Sequence, residues 1–328
     1  MFSQMRNILI ACIILIASGG VFQTAAADTE ANKAVVERWL ELWNTQDLTI
    51  ADEVFATDYV PHMPHYPDIV DVESYKAEVA TVPTTIPDFH ATLEDIVAEG
   101  DKVVARFTAT GTAQGEIMGI PVNGVPYTNT WIIMFRFADN KIVEEWLQYD
   151  LLGVLEQLGA MPPSRPAPES YTWGPPSEVT GNPGDPVMNT ALALYVAQKF
   201  WNEQNIDALD ITHNLECIVH NPPIPGHPLP YEAFKQTGLL YLMAFPDFRV
   251  TVEDTVAEED EVAIRWTMNG THLGELMGIP ATGTKATYTG ITIYRFADGK
   301  IVEYWWAYDA LGMMQQITAP PEPDPDQQ

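Results

Sequence analysis

The chain has 328 residues, of which 46% are hydrophobic, enough for two cores of ordinary domain size. Its formal charge of −29 repels phosphate backbones and anionic lipid surfaces, and no Lys/Arg cluster offsets it, which excludes nucleic acid as a partner. Of the two cysteines, Cys217 lies in the apolar stretch Leu215–Val219 and reads as a buried, inert thiol.

Residues 1–27 read as a secretory signal peptide. Arg6 gives a basic start, Ile8 to Ala17 an apolar core, and Ala25-Ala26-Ala27 a small-residue cleavage site before Asp28. The mature protein is therefore expected to be secreted or periplasmic, with no membrane attachment once the leader is cleaved. A retained anchor is the alternative, against which the apolar run is short for a span. Cleavage removes Cys12 and leaves Cys217 alone, so neither an intramolecular disulfide nor a multi-thiolate metal site can form.

The first domain, 28–160, opens with Ala34, Val35, Trp39, Leu40, Leu42 and Trp43 spaced as one helical face. A polar turn, Asn44 to Asp47, leads to a shorter helical segment. A Pro/His-rich loop follows, then a helix around Tyr75 to Val82. Val103, Ala105, Phe107 and Ala109 alternate as a strand with one apolar face. Asp139-Asn140 marks a hairpin before a last strand ending at Asp150. Residues 161–187 are rich in Pro and Gly and read as a linker, with Tyr171 and Trp173 as its aromatic exceptions. An acidic, Pro-rich tail at 319–328 is expected to be disordered.

Residues 188–318 repeat this plan. From Pro87 to Asp150 the chain matches Pro246 to Asp309 at an offset of 159 without a gap, with about 36 identities in 64 positions. One backbone built twice, with strands and turns in the same register, is the expectation. Helices first and an antiparallel meander afterwards indicate an α+β domain with helices packed on one side of a curved sheet. The two copies are expected to pack on each other as an intramolecular pseudo-dimer, because the linker holds them at high effective concentration.

Candidate chemistry falls on the last strands. Parity puts Trp305, Ala307 and Asp309 on one face, and Trp146, Gln148 and Asp150 on its counterpart. His272 shares parity with Val262, Ile264, Trp266 and Met268. If these faces coincide, a carboxylate and an imidazole meet in a pocket lined by Trp266, Met268 and Trp305, with Phe107, Trp146 and Gln148 lining the first copy's pocket. Burial there would raise the aspartate pKa into the range of a general acid or base. The competing reading makes Asp309 and Asp150 helix N-caps before apolar segments. For His272 a hydrogen-bonded core position competes, and the first copy has Ala113 in its place. Arg106 and Arg265 alternate onto the polar face and are taken as structural, within reach of Glu94 or Glu253. His62 and His65, or His220 and His227, have metal-like spacing but no completing carboxylates, so no metal is assigned.

Ala244-Phe245-Pro246-Asp247-Phe248, the run Glu253 to Asp260, Gly270-Thr271-His272 through Gly283, and Asp298 through Trp305 to Asp309 resemble a SnoaL-like polyketide cyclase (ester cyclase) domain. The resemblance extends over nearly all of each repeat. It implies the cone-shaped fold of nuclear transport factor 2 and ketosteroid isomerase, with a deep apolar pocket. It also implies cofactor-free ring closure by intramolecular aldol condensation, with the acid/base role on Asp309, and on Asp150 in copy one. A small apolar carbonyl compound acted on by the second domain is the expected substrate class. A non-catalytic binder of apolar molecules, or an isomerase, hydrolase or dehydratase on the same fold, is the alternative.

Overall fold

The computed structural model describes residues 25–161, 176–178, 180–220 and 228–319. Most of the expected leader, the linker with Tyr171 and Trp173, His227, and all but the first residue of the acidic tail lie outside the described residues. Among those described, no helix is long and apolar enough to cross a membrane.

The first copy runs helix Ala25–Thr45, short helix Thr49–Val54, β1 Phe55–His62, helices Val72–Val79 and Val82–Thr85, and then β2 His90–Glu99. β3 Lys102–Ile117, β4 Ile120–Ala138, β5 Lys141–Tyr149 and helix Leu151–Gln157 complete it. The second opens with helix Pro186–Tyr195, running on as a π-helical segment Val196–Asn202, then helix Asp207–Thr212, β6 His213–His220 and β7 Leu229–Pro230. Helix Tyr231–Ala244, β8 Arg249–Glu258, β9 Glu261–Thr271, β10 Lys285–Ala297, β11 Lys300–Tyr308 and helix Ala310–Thr318 follow. The sheets are ordered β1-β5-β4-β3-β2 and β7-β6-β11-β10-β9-β8. β1 and β6 join their sheets parallel to the last strand, and the other pairings are antiparallel. This is the cone-shaped α+β fold, twice.

The hairpins follow the turn chemistry of the sequence. Asp139 and Asn140 both have positive φ, 51° and 56°, as do Asp298 and Gly299, 51° and 72°. Two left-handed residues in succession give the turn whose twist matches the flanking strands. The Pro-Asp-Phe repeat proves to be a clamp: Asp88 accepts the backbone N–H and hydroxyl of Thr112 at 2.6 and 2.8 Å. Asp247 does the same for Thr271 at 2.6 and 2.7 Å. The identity of the copies at these positions therefore serves folding.

The copies depart from each other at two places. Where the second copy has one continuous helix, Tyr231–Ala244, with Leu242 at the matching position, the first has two, Val72–Val79 and Val82–Thr85, with Pro83 in the first turn of the latter. The long hairpin of β3 and β4 has no full counterpart, because the chain leaves the ladder after Thr271. There Leu273 and Gly274 donate to the carbonyl of Ala244, at 2.8 and 3.1 Å, at the end of the longer helix.

Each sheet has its helices on one face and the other sheet on the opposite face. Between the sheets lie Val97, Val104, Ile132 and Met134 of the first copy and Val256, Ala263, Ile291, Ile293, Trp305 and Ala307 of the second. Their rims exchange equivalent hydrogen bonds. Ala98 N–H donates to Glu258, and Ala257 N–H to Glu99, both at 2.8 Å.

A hollow first cone and a filled second cone

Cross-strand register decides which side chains enter each cone, because residues directly opposite in a ladder share a face. Trp306 pairs with Thr292, and Thr292 with Ile264, in the row that faces the helices. Trp305 pairs with Ile293, and Ile293 with Ala263, in the row between the sheets. The face shared by Trp305 and Trp266 that parity allowed is thereby corrected. Trp305 is buried between the domains, Trp146 packs against the same cluster, and Gln148 donates to Thr289 of the second domain at 2.8 Å. None of the three lines a cavity.

The first cone encloses a cavity of about 360 Å³. Trp39, Trp43, Phe89 and Trp131 form an aromatic wall, and Leu147 and Tyr149 of β5 face them. Phe107 is buried behind this wall, 5.2 Å from Trp39 between ring centres, rather than on it. The second cone keeps only about 30 Å³, roughly the space of one water. At four wall positions the second copy is larger, although Trp39 and Trp131 become Ala197 and Gly290 there. Val82, Ile86, Asn129 and Leu147 of the first cavity correspond to Tyr241, Phe245, Tyr288 and Trp306. Trp266 adds to the filling and lines the residual void, with its indole N–H bonded to Thr292 at 3.0 Å. It fits only because residue 290 is glycine: a Cβ there would lie 2.1 Å from the Trp266 ring. Met268 is part of the same packed core. The expectation of a working pocket in the second domain is therefore corrected, and the hollow belongs to the first.

Glu78 lines the first cavity, three residues on from Tyr75 in the helix Val72–Val79, with Val82 of the next helix also on the wall. Burial pushes its carboxyl pKa upward. No hydrogen bond or ion pair to another described residue holds it. Thr237 occupies the matching place in the second copy. Asn129 donates to the Tyr127 hydroxyl at 3.1 Å, while its own carbonyl oxygen is buried without a partner. Tyr66 and Tyr149 lie with ring centres 5.9 Å apart, and both phenols are held protonated by burial. Sequence reasoning missed Glu78. Its signal was a carboxylate at i+3 from Tyr75, beside the apolar Val79 and Val82.

The expected catalytic residues are not brought together. Asp309 caps the last helix, accepting from Gly312 N–H at 2.7 Å, and its Oδ1 also lies 2.7 Å from His65 Nε2 in the first domain. Asp150 caps its own helix through Gly153 N–H at 2.9 Å and sits between cavity residues Tyr149 and Leu151. His272 is buried, with Nδ1 3.1 Å from the Thr282 hydroxyl and its ring 5.5 Å from Phe245. Burial lowers its pKa. Arg106 pairs with Asp95 at 3.2 Å, and Arg265 with Asp254, not with Glu94 and Glu253. A bulge in β2 and another in β8 shift the register by one residue at these points. His62 and His220 bond to Glu144 and Glu303, both at 2.8 Å. No group of three metal-ligating side chains occurs among the described residues.

Helices packed on a curved sheet, around an aromatic-walled hollow in the first, place each copy in the nuclear transport factor 2-like fold class. The chain belongs to the SnoaL-like polyketide cyclase family, whose model matches residues 33–158 and again 191–317. It is similar to the aklanonic acid methyl ester cyclase DnrD of Streptomyces peucetius, 32% identical over 114 residues, or 34% of this chain and 75% of that protein. The corresponding cyclase DauD of Streptomyces sp. (strain C5) is likewise 32% identical over 114 residues, 34% of this chain and 68% of that protein. Among solved structures, TsrD from Streptomyces laurentii is 32% identical, covering 40% of this chain and 97% of its own, with a TM-score of 0.38.

Proposed function

We propose that the first domain is the working half of a cofactor-independent enzyme that moves a proton next to a carbonyl in a small apolar substrate. The second domain is its filled support. The observation that carries this reading is the Glu78 carboxyl on the wall of the first cone's cavity, without a hydrogen-bond or ion-pair partner among the described residues. A carboxyl with an upward-shifted pKa is a stronger base once ionised, and suits general base catalysis near neutral pH.

In the cyclase form of the reaction, Glu78 removes a proton from the carbon beside the carbonyl. A phenol such as that of Tyr149 donates to the enolate oxygen. The enolate carbon then attacks a second carbonyl of the same molecule, forming the ring bond, and the resulting alkoxide recovers the proton from Glu78. Every step uses groups of the chain alone. The family resemblance lays the acid/base role on Asp309 and, in the first copy, on Asp150, which is the second candidate for the base here. The leader sequence supports placing the mature protein outside the cytoplasm.

Proton transfer can be assayed without the natural substrate, by the conversion of a β,γ-unsaturated cyclic ketone into the absorbing conjugated enone. Glu78→Gln should lower the rate on the order of 10²–10⁴-fold, and Asp150→Asn by less. Full activity in Glu78→Gln combined with its loss in Asp150→Asn or Asp309→Asn moves the base to a strand end. No turnover in any form, with apolar ligands still bound in the cavity, favours the binder.

A further inference from the structure

The turn from Met63 to Ile69 forms part of the wall of the first cavity, through Met63, Tyr66 and Ile69. Internally it is held by two backbone bonds, Tyr66 N–H to Met63 O and Ile69 N–H to Tyr66 O, at 3.2 and 3.1 Å. At its centre His65 has φ 70°, a left-handed conformation that a non-glycine residue keeps only where its surroundings fix it. The His65 side chain points out of its own domain, with Nε2 2.7 Å from Asp309 Oδ1. Both side chains are shielded, 18% and 17% exposed.

Asp309 is a rigid acceptor. Its carboxylate caps Gly312, and its backbone N–H donates to Thr289 O at 3.1 Å. Two residues on, Leu311 is packed into the first domain's core cluster. The negative charge of Asp309 is also felt by the Tyr149 phenol on the cavity wall.

We propose that Asp309 of the second domain is a positioning residue for the first domain's cavity. It fixes His65, and through it the Met63–Ile69 turn that carries Tyr66 into the wall. The filled domain thereby completes the hollow one. This rests on the reading of the first cavity as the working site.

The test uses the neutral fluorophore N-phenyl-1-naphthylamine as a cavity probe on the full chain. Leu147→Trp fills the cavity and should abolish binding. His65→Ala, and Asp309→Ser, which keeps a helix cap but is too short to reach His65, should each weaken binding roughly three- to tenfold with little change in melting temperature. The double variant should be no weaker than either single one, and His65→Gln, which retains a donor, should restore affinity. Unchanged affinity in both single variants, or strictly additive losses, overturns the clamp while leaving the cavity reading intact. If Leu147→Trp binds as well as the wild type, or the wild type does not bind, the cavity reading and the clamp both fall.

Discussion

The guanidinium carbon of Arg106 lies 3.8 Å from the centre of the Trp305 ring, across the boundary between the two copies. The relation is returned: Arg265 lies 4.4 Å from the centre of Trp146. His220 stacks on Trp305 and His62 on Trp146, with ring planes 5° and 3° apart. In the two Arg–Trp contacts Arg106 meets the counterpart of the tryptophan that its own counterpart, Arg265, meets, which is the exchange expected of an isologous, two-fold arrangement. Desolvated cation–π contacts of this kind contribute on the order of 2 kcal/mol each.

Trp305 is fully buried at this boundary, so Trp305→Ala should destabilise the protein by about 3–5 kcal/mol in urea unfolding. Trp146→Ala, at a less buried position, should cost less. We propose that the two cones stay docked in solution. Small-angle scattering of the mature chain should then give one compact particle, and a profile of two independently moving lobes would rule it out.

Burial raises the Glu145 pKa from its ordinary 4.5 to about 8, and one hydrogen bond from the Tyr59 hydroxyl does not offset it. The folded protein thus keeps a proton that the unfolded chain releases above about pH 4.5. Stability from this group is full below that pH and declines towards pH 8, by up to about 1.4 kcal/mol per pH unit. Glu145→Gln should flatten the decline and be the more stable form at pH 8, measured by urea midpoints at pH 5 and pH 8. A wild type no less stable at pH 8 than the variant would contradict this.

Lys102 reaches Asp254 at 3.5 Å across the boundary, but its counterpart in the second copy is Glu261, buried beside Asp95. Desolvation and the nearby carboxylate push the Glu261 pKa upward. Glu261→Lys would give that half of the boundary the same Lys–Asp pairing as the other. It should raise the melting temperature at pH 8, where the acid is costly to ionise, and a fall would show that Arg106 tolerates no second cation there.

We propose that residues 1–27 are removed on export. N-terminal sequencing of protein recovered from outside the cytoplasm should begin at or near Asp28. Recovery of the intact leader in the membrane fraction would favour an anchor instead.

The repeat, the helix-then-meander order and the turns were legible because they are written in local signals: period-two alternation, Asp139-Asn140 and Asp298-Gly299. The face of the last strand was not. Trp305 and Trp306 are both apolar because β11 is covered on both sides, by its own helices and by the other sheet, so alternation carried no label for the interior. Arg265 looked like the mark of a solvent face, whereas it marks the boundary between domains. The hollow itself was visible only as a difference in size at matched positions, such as Leu147 against Trp306. Reading it required knowing which of the two neighbouring tryptophans points inward.

The glycine at 290, which admits Trp266 to the second cone, has a consequence for how such a protein can change. In a dimer of identical chains every substitution is made twice, so a site cannot be closed on one side and kept open on the other. Here the halves are separate stretches of one gene product. Trp306 and Tyr288 can close one cone while Leu147 and Asn129 keep the other open. Duplication within a single chain frees one copy from substrate altogether, leaving its inherited sheet face and its strand-end aspartate available for tasks that no symmetric pair could divide.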